Sequence, residues 1–128
     1  MMSSLSTRGQ LPGIPDYLCR MAHLRLDDVI RTLPKPSEEQ WVVPFEHGTL
    51  QVGLYAPRGR DDQTPHTRDE VYVVMRGTGT FVNGAEHSRF APGDVLFVPA
   101  HREHRFETMS DDFAAWVFFY GPEGGERA

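Results

Sequence analysis

The sequence is poor in residues on which several classes of protein depend. Among its 128 residues there is one cysteine, Cys19, so no disulfide can form within the chain and a disulfide-stapled scaffold is excluded. Its one lysine, Lys35, lies between two prolines, which argues against Schiff-base chemistry. No apolar run approaches the ~20 residues of a membrane span, and residues 1–20 contain no apolar stretch of signal-peptide length. We therefore expect a cytoplasmic protein without a membrane partner.

Positive charge is also scarce in the form that nucleic acids bind. The formal net charge is −5, and the arginines are scattered rather than clustered. Since affinity for a phosphate backbone comes largely from clustered Lys and Arg, no nucleic-acid partner is expected. No Gly-rich loop ends in Lys-Ser or Lys-Thr, and no serine lies in a nucleophile-elbow context, so nucleotide and serine hydrolysis are not predicted.

Turn residues divide the chain into short segments. Glycines and prolines interrupt residues 1–22, which are predicted to be a loose arm, and the pattern over residues 26–33 predicts one short helix that Pro34 ends. From residue 41 onward short apolar runs alternate with turns, which is typical of an all-β sandwich or barrel. The predicted strands cover residues 41–45, 49–56, 71–76, 79–82, 95–98, 104–107 and 113–120.

These segments predict a single domain with two appendages. We expect an N-terminal arm and short helix over residues 1–40, one barrel over residues 41–121 and a flexible tail over residues 122–128. Inward-facing side chains would line a cavity able to enclose one small ligand. The predicted wall is mostly aromatic and branched, from Tyr72, Val74, Phe81, Phe97, Phe106 and one face of residues 116–120.

Three residues could hold a metal ion if the barrel brings them to one point. His66 and Glu70 are four apart and His104 begins a later strand. Because side chains two and four apart on a strand share a face, His66 and Glu70 point the same way, with Tyr72 beyond them. By the same alternation Arg68 points away and is predicted to make an external salt bridge. Two imidazoles and a carboxylate suit one divalent transition metal, and a site with open positions is typical of non-haem iron oxygenases.

The two segments resemble the paired motifs of the cupin superfamily, G(X)5HXH(X)3-4E(X)6G and G(X)5PXG(X)2H(X)3N. Glu70 and Gly77 fit the end of the first motif, and His66 stands where its second His belongs. The second motif runs from Gly93 through Pro99 to His104, with His101 at the usual Gly position and Thr108 at the usual Asn position. The resemblance covers about residues 50–120 and implies an all-β jelly-roll barrel.

One position departs from the first motif. Thr64 stands where the first His is usual, so the resemblance implies a site made of His66, Glu70 and His104. Gln63 or Thr64 would fill the fourth position directly or through water. Some cupins have lost ligands and act as metal-free barrels, so Thr64 leaves open an altered or a lost site.

The resemblance implies a small-molecule metalloenzyme, either a mononuclear non-haem dioxygenase or a sugar or carbonyl isomerase. Glu70, when freed as a base, and Tyr72 are the candidate catalytic residues, and the ion would be Fe, Zn, Ni or Mn. The alternative is a non-catalytic module that binds a small ligand in a barrel with a degenerate metal site. The expected partners are a small molecule in the barrel and a second copy of the chain, as a homodimer.

Overall fold

The computed structural model describes residues 23–127, so the predicted arm over residues 1–22 lies outside the described residues. This part of the chain contains one short helix and eight strands. The elements are α1 (Leu26–Ile30), β1 (Trp41–His47), β2 (Leu50–Tyr55), β3 (Asp69–Arg76), β4 (Gly79–Asn83), β5 (Glu86–Phe90), β6 (Val95–Val98), β7 (His104–Glu107) and β8 (Ala114–Tyr120).

The strands form two antiparallel sheets. The larger has the order β1-β2-β8-β3-β6 and the smaller the order β5-β4-β7. Their inner faces share one apolar core, with Tyr72 and Val74 from the larger sheet and Phe81 and Phe106 from the smaller. The two sheets do not join into a closed cylinder. The predicted all-β jelly-roll fold is confirmed.

Closely packed aromatic rings fill much of the core between the two sheets. The Phe106 ring has its centroid 4.6 Å from that of Phe113 and 4.8 Å from that of Phe81, and the Phe90 ring lies 5.0 Å from Phe113. Gly77 makes this packing possible, because its φ is +86° and an added Cβ would lie 2.7 Å from the Cα of Phe113. Only glycine fits such a position without strain.

Helix α1 is held by packing against the outer face of the larger sheet. Its Val29 is fully buried in a cluster with Val42, Leu54 and Ala114. The helix ends at Ile30, three residues before the predicted end, and the chain continues as a turn in which Thr32 donates to the carbonyl of Val29. Five residues form no stable helix alone, so tertiary contacts account for it. Within residues 23–127, no helix is long and apolar enough to cross a membrane.

Two parts of the sheets differ from the sequence expectation. Strand β5 was not predicted, because Glu86–Phe90 is exposed except at Phe90 and has no apolar run. Phe97 was predicted to line the cavity, and this prediction is wrong. Strand β6 pairs with β3 so that Leu96 is opposite Tyr72, which puts Leu96 on the inner face and turns Phe97 outward, where it is 48% exposed.

Candidate metal centre

The three predicted ligands come from both sheets and meet at one end of the core. Glu70 is the second residue of β3, His104 is the first residue of β7, and His66 lies in the loop that enters β3. Their ligand atoms all lie within 4.8 Å of one another. Glu70 and His104 are buried, while His66 is partly open, with 22% of its side chain exposed. The sequence pattern therefore selected three residues that the fold does bring together.

The distances within this cluster are short. The Nε2 atom of His66 lies 2.6 Å from Oε1 of Glu70 and 3.2 Å from Nε2 of His104. The Nε2 atom of His104 lies 3.2 Å from the same carboxylate oxygen. One carboxylate oxygen therefore faces two imidazole nitrogens.

The other nitrogen of each ring determines the tautomer. Nδ1 of His66 lies 2.9 Å from the carbonyl oxygen of Arg68, and Nδ1 of His104 lies 2.8 Å from that of Arg102. A carbonyl oxygen only accepts, so both Nδ1 atoms donate and, in the neutral rings, both Nε2 atoms carry lone pairs. Two nitrogen lone pairs and the Glu70 carboxylate thus converge with no donor between them. Such a set needs a cation or an added proton between its members. Metal-binding histidines are commonly oriented by a hydrogen bond from the ring nitrogen that does not bind the metal, as both rings are here.

The same contacts shift the acidities of two of the three groups. Burial raises the pKa of Glu70, but the hydrogen bonds with His104 and His66 outweigh burial and hold the pKa below its usual value. Burial lowers the pKa of His104, but the hydrogen bonds with Glu70 and the Arg102 carbonyl outweigh it and the pKa is raised. In the absence of a metal, the cluster therefore favours an ionised carboxylate beside a protonated ring.

Tyr72 and Gln63 lie next to the cluster but are joined to each other. The Tyr72 hydroxyl donates to Oε1 of Gln63 at 3.1 Å, and Nε2 of Gln63 donates to Asp61 at 2.6 Å. Both ends of the amide are thus in use, so Gln63, which the sequence predicted to fill the fourth ligand position, is held by Tyr72 and Asp61 and is not part of the three-residue cluster. Burial, followed by the charge of Glu70, raises the pKa of Tyr72 well above its usual value, so this hydroxyl keeps its proton.

Asp61 connects several parts of the fold by hydrogen bonds, and the sequence did not predict this role. Its carboxylate is buried and accepts from the Tyr55 hydroxyl at 2.5 Å, from the backbone N–H of Phe106 at 2.8 Å and from Gln63. The sequence does not distinguish this buried residue from its exposed neighbour Asp62. The available signal was weak: an acid six residues after a tyrosine at the end of a strand.

Arg68 does not make the predicted external salt bridge, so that prediction is wrong. It is 6% exposed, and its guanidinium donates to the backbone carbonyls of Thr49 and Gly121 and, at 3.4 Å, to the side-chain oxygen of Gln51. Residue 68 lies in the loop before β3, where strand alternation no longer sets the direction of a side chain. Its acceptors are neutral, so it holds the loop beside His66 by hydrogen bonds.

Two departures from the second motif have a backbone explanation. His101 has φ +70° and Thr108 has φ +49°, and within residues 23–127 they are the non-glycine residues with positive φ. The left-handed region is cheap for Gly and tolerable for Asn, the residue types usual at these two positions of the motif. The backbone N–H of His101 also donates to the carbonyl of His66 at 2.6 Å, which links the two motifs beside the ligands.

A cavity of about 780 Å³ opens beside the cluster. Aromatic and polar side chains line it, and Thr64 is an exposed part of its wall. Its lining residues are Glu39, Trp41, Val43, Gln51, Tyr55, Asp62, Gln63, Thr64, Pro65, His66, Thr67, Arg68, Glu70, Tyr72, Phe119 and Glu123. The volume is within the range of small-molecule sites.

Residues 122–127, which the sequence predicts to be a flexible tail, pass beside this cavity. The N–H of Gly124 donates to the carbonyl of Thr67 at 2.7 Å, and the N–H of Glu126 donates to Asp69 at 2.8 Å. Glu123 also accepts from the Thr67 hydroxyl. The tail therefore contributes to the mouth of the site.

Comparison with known proteins gives consistent results. The Cupin domain family model matches residues 51–120. An uncharacterised protein of Streptomyces coelicolor is 41% identical over 76 residues, which cover 58% of this chain and 72% of that protein. Acireductone dioxygenase 1 of Nocardia farcinica is 29% identical over 115 residues, or 86% of this chain, and the match spans 56% of that enzyme's length. A cupin-2 domain protein of Shewanella frigidimarina has a similar fold, with a TM-score of 0.63, 17% identity, and coverage of 80% of this chain and 98% of that one.

Proposed function

Because this chain belongs to the cupin family, we propose that it is a small-molecule metalloenzyme that holds one divalent transition metal through His66, Glu70 and His104. The observation that carries the proposal is the convergence of two imidazole Nε2 lone pairs on the Glu70 carboxylate, with both Nδ1 atoms held by backbone carbonyls. Three ligands on one side would leave coordination positions open toward the cavity.

Oxygenase chemistry is the first candidate activity. Iron held by this set would supply redox chemistry with dioxygen, whereas zinc, nickel or manganese would supply Lewis-acid chemistry on a carbonyl. The similarity to an acireductone dioxygenase over most of this chain favours the first, and we propose a small substrate with two adjacent oxygens, such as an enediol or catechol, that could chelate the ion. An isomerase that uses the second kind of chemistry remains the alternative among enzymes.

Three residues at the metal site have specific roles in this proposal. The Tyr72 hydroxyl, which keeps its proton, would donate a hydrogen bond to an oxygen atom of the substrate on leaving Gln63. Phe119, whose ring lies 4.8 Å from that of His66, would exclude water from one side of the site. Glu70 acts as a ligand here, since its buried carboxylate faces both rings, and would act as a base only on leaving the metal.

The test begins with the metal. Metal-free full-length protein is incubated anaerobically with Fe(II), Zn(II), Ni(II) or Mn(II), and the bound ion is counted after gel filtration. We expect about one ion per chain, loss of binding in His66→Ala and His104→Ala, and normal binding in His87→Ala, which removes an exposed imidazole on β5.

Oxygen uptake with enediols and catechols then distinguishes the activities. Substrate-dependent uptake with iron, absent in the ligand variants, would support the dioxygenase. Stoichiometric binding without uptake would redirect the proposal to isomerisation.

A metal-free binding module is the second candidate function. The observation that favours it is Thr64, exposed in the cavity wall where the first motif His is usual. Failure of all four ions to bind, with retained folding, would favour this module and contradict the metalloenzyme. Homodimer formation and a cytoplasmic location stay predictions from the sequence.

A further inference from the structure

An aromatic wall runs along the cavity toward the candidate metal centre. The Trp41 ring lies between those of Tyr55 and Phe119, with centroids 6.0 Å and 6.1 Å away and interplanar angles of 79° and 83°. The Phe119 ring in turn lies 4.8 Å from His66. Trp41 and Phe119 are only half-buried, so this wall presents ring surface to whatever enters.

The position of Trp41 depends on a glycine. Gly53 faces it from β2, and an added Cβ there would lie 2.4 Å from Cη2 of the indole. Any larger residue would push the indole out of its place. The indole is thus fixed in position against β2.

Negative charge exceeds positive charge around this wall. Four of the residues lining the cavity carry carboxylates and one, Arg68, carries a guanidinium, which is turned toward the neutral acceptors described above. Asp62 is paired with Arg60 at 2.6 Å, and Glu70 belongs to the metal cluster. Among residues 23–127, no cation is within salt-bridge distance of Glu39 or Glu123.

The charge of Glu39 reaches the aromatic wall. Burial is the main reason that the pKa of Tyr55 is raised, followed by the contact with Asp61, but Glu39 and Glu70 also contribute. Glu39 comes two residues before Trp41 in the chain, and both line the cavity. The electron-rich faces of the rings and the Glu39 carboxylate therefore both favour a positively charged ligand.

We infer that the cavity binds a small organic cation, such as a trimethylammonium group, against Trp41 and beside Glu39. A cation over an aromatic face is attracted by the ring quadrupole, most strongly when the ring is tryptophan. Methylated ammonium ions are weakly hydrated, so they lose little hydration on binding to such a ring. This inference rests on the proposed function, because it makes the cation the end of the substrate remote from the metal. The cavity has room for both ends.

The experiment compares two probes of the same shape. Choline carries the charge, and 3,3-dimethylbutan-1-ol replaces its nitrogen with carbon. The chain has two tryptophans, so Trp116→Phe leaves Trp41 as the fluorophore, and Trp116 lies on the outer side of the sheet, next to the α1 cluster. Each probe is titrated into this full-length variant, metal-free and metal-loaded. We expect choline to quench Trp41 fluorescence and to bind about tenfold tighter than the alcohol.

Charge variants identify the source of any preference. Glu39→Gln should reduce the advantage of choline by about threefold and leave binding of the alcohol unchanged. Glu86→Gln, which neutralises an exposed acid on β5, should change neither. Trp41→Leu, with Trp116 retained, is followed by calorimetry and should remove detectable choline binding. If it fails to fold, Glu39→Gln still provides the test because Glu39 is exposed.

The outcomes separate this inference from the proposed function. Equal affinities for the two probes, no binding of either, or equal losses for both in Glu39→Gln would overturn the inference even if the metal binds. A preference for choline that depends on Glu39 would support it even if no metal binds, and the metalloenzyme proposal alone would then fail.

Discussion

The space between the two sheets has a closed region and an open one. In the closed region, which we call the phenylalanine region, Phe81, Phe90, Phe106 and Phe113 are at most 2% exposed and their rings contact one another. In the open region, the cavity region, half-buried rings and carboxylates surround about 780 Å³ of space. We therefore expect stability and ligand binding to depend on different parts of one fold.

Tyr72 belongs to both regions. Its ring packs 4.9 Å from that of Phe106, and its hydroxyl is in the cavity region, where it contacts Gln63. The comparison predicts that changes in the phenylalanine region act through folding, and that changes in the cavity region act on binding at nearly unchanged stability.

The largest expected effect is in the phenylalanine region. Phe106→Ala should lower the free energy of unfolding by about 3–5 kcal/mol, because it removes a fully enclosed ring and leaves a cavity. Denaturant unfolding measures the loss. Phe97→Ala is the matched control, since that ring is 48% exposed, and should cost under about 1 kcal/mol. Similar losses for the two variants would contradict the assignment of Phe97 to the outer face.

The next largest effect is expected at Asp61, which contacts residues of both regions. Asp61→Asn should cost about 2 kcal/mol, because the amide cannot replace a carboxylate that accepts from Tyr55, Gln63 and the Phe106 backbone. Asp62→Asn, at the exposed neighbouring position, should change stability by less than about 0.5 kcal/mol. Thermal unfolding of both variants compares them. An equally small loss of stability in both variants would show that the hydrogen bonds of Asp61 do not stabilise the fold.

Metal affinity should decrease as the pH falls. Protonated His104 has no free lone pair, and its raised pKa means that affinity falls as the pH decreases from a value above 6.5, by up to about tenfold per unit. Competition with a chromophoric chelator measures this. Affinity that is constant across pH 6–8 (about the working range of such chelators) would contradict coordination by His104.

The metal-free protein should show a different dependence. The raised pKa of His104 stabilises the fold below pH 6.5, and this contribution is lost as the pH rises through the folded-state value. The lowered pKa of Glu70 stabilises the fold above pH 4.5, and this contribution is lost as the pH falls. Metal-free stability should therefore be greatest between these two values, and denaturant unfolding at several pH values checks this.

The smallest expected effect is a gain. His101→Gly should stabilise the protein by about 1 kcal/mol, because φ at this residue is +70°. Metal affinity should stay the same, since the backbone N–H that bonds to His66 is retained. Glu103→Gly, an exposed position without a positive φ, should stabilise nothing and is the control. Destabilisation by His101→Gly would mean that the imidazole itself makes a needed contact.

The sequence predicted the fold well where apolar patterning was strong. Strand β6 has the predicted bounds because it is an apolar run between turn residues; β7 also has the predicted bounds, although three of its four residues are polar. The direction of Phe97 was wrong because a four-residue run of apolar residues has no alternation, and only pairing with β3 determines which residues face inward. Strand β5 exists through pairing with β4, which its polar sequence does not reveal.

At the site, the three ligand residues were predictable from the sequence, whereas the contacts of the other side chains in the loop before β3 were not. Alternation along β3 related Glu70 to Tyr72, and the motif positions selected His66 and His104, although His66 lies in the loop. Arg68, Asp61 and Gln63 lie in the segment between β2 and β3, where each side chain points toward a partner that is distant in sequence or set by a turn. Spacing carries no information about such contacts.

The tail beside the cavity has a practical consequence for work on the protein. Residues 122–127 are held next to the ligand loop by Thr67 and Asp69, and Glu123 lines the mouth of the cavity. A polyhistidine tag fused directly after this segment would therefore begin close in space to the loop that carries His66. Its imidazoles would compete with the site for any added ion. Metal content should be determined on protein whose purification tag has been removed.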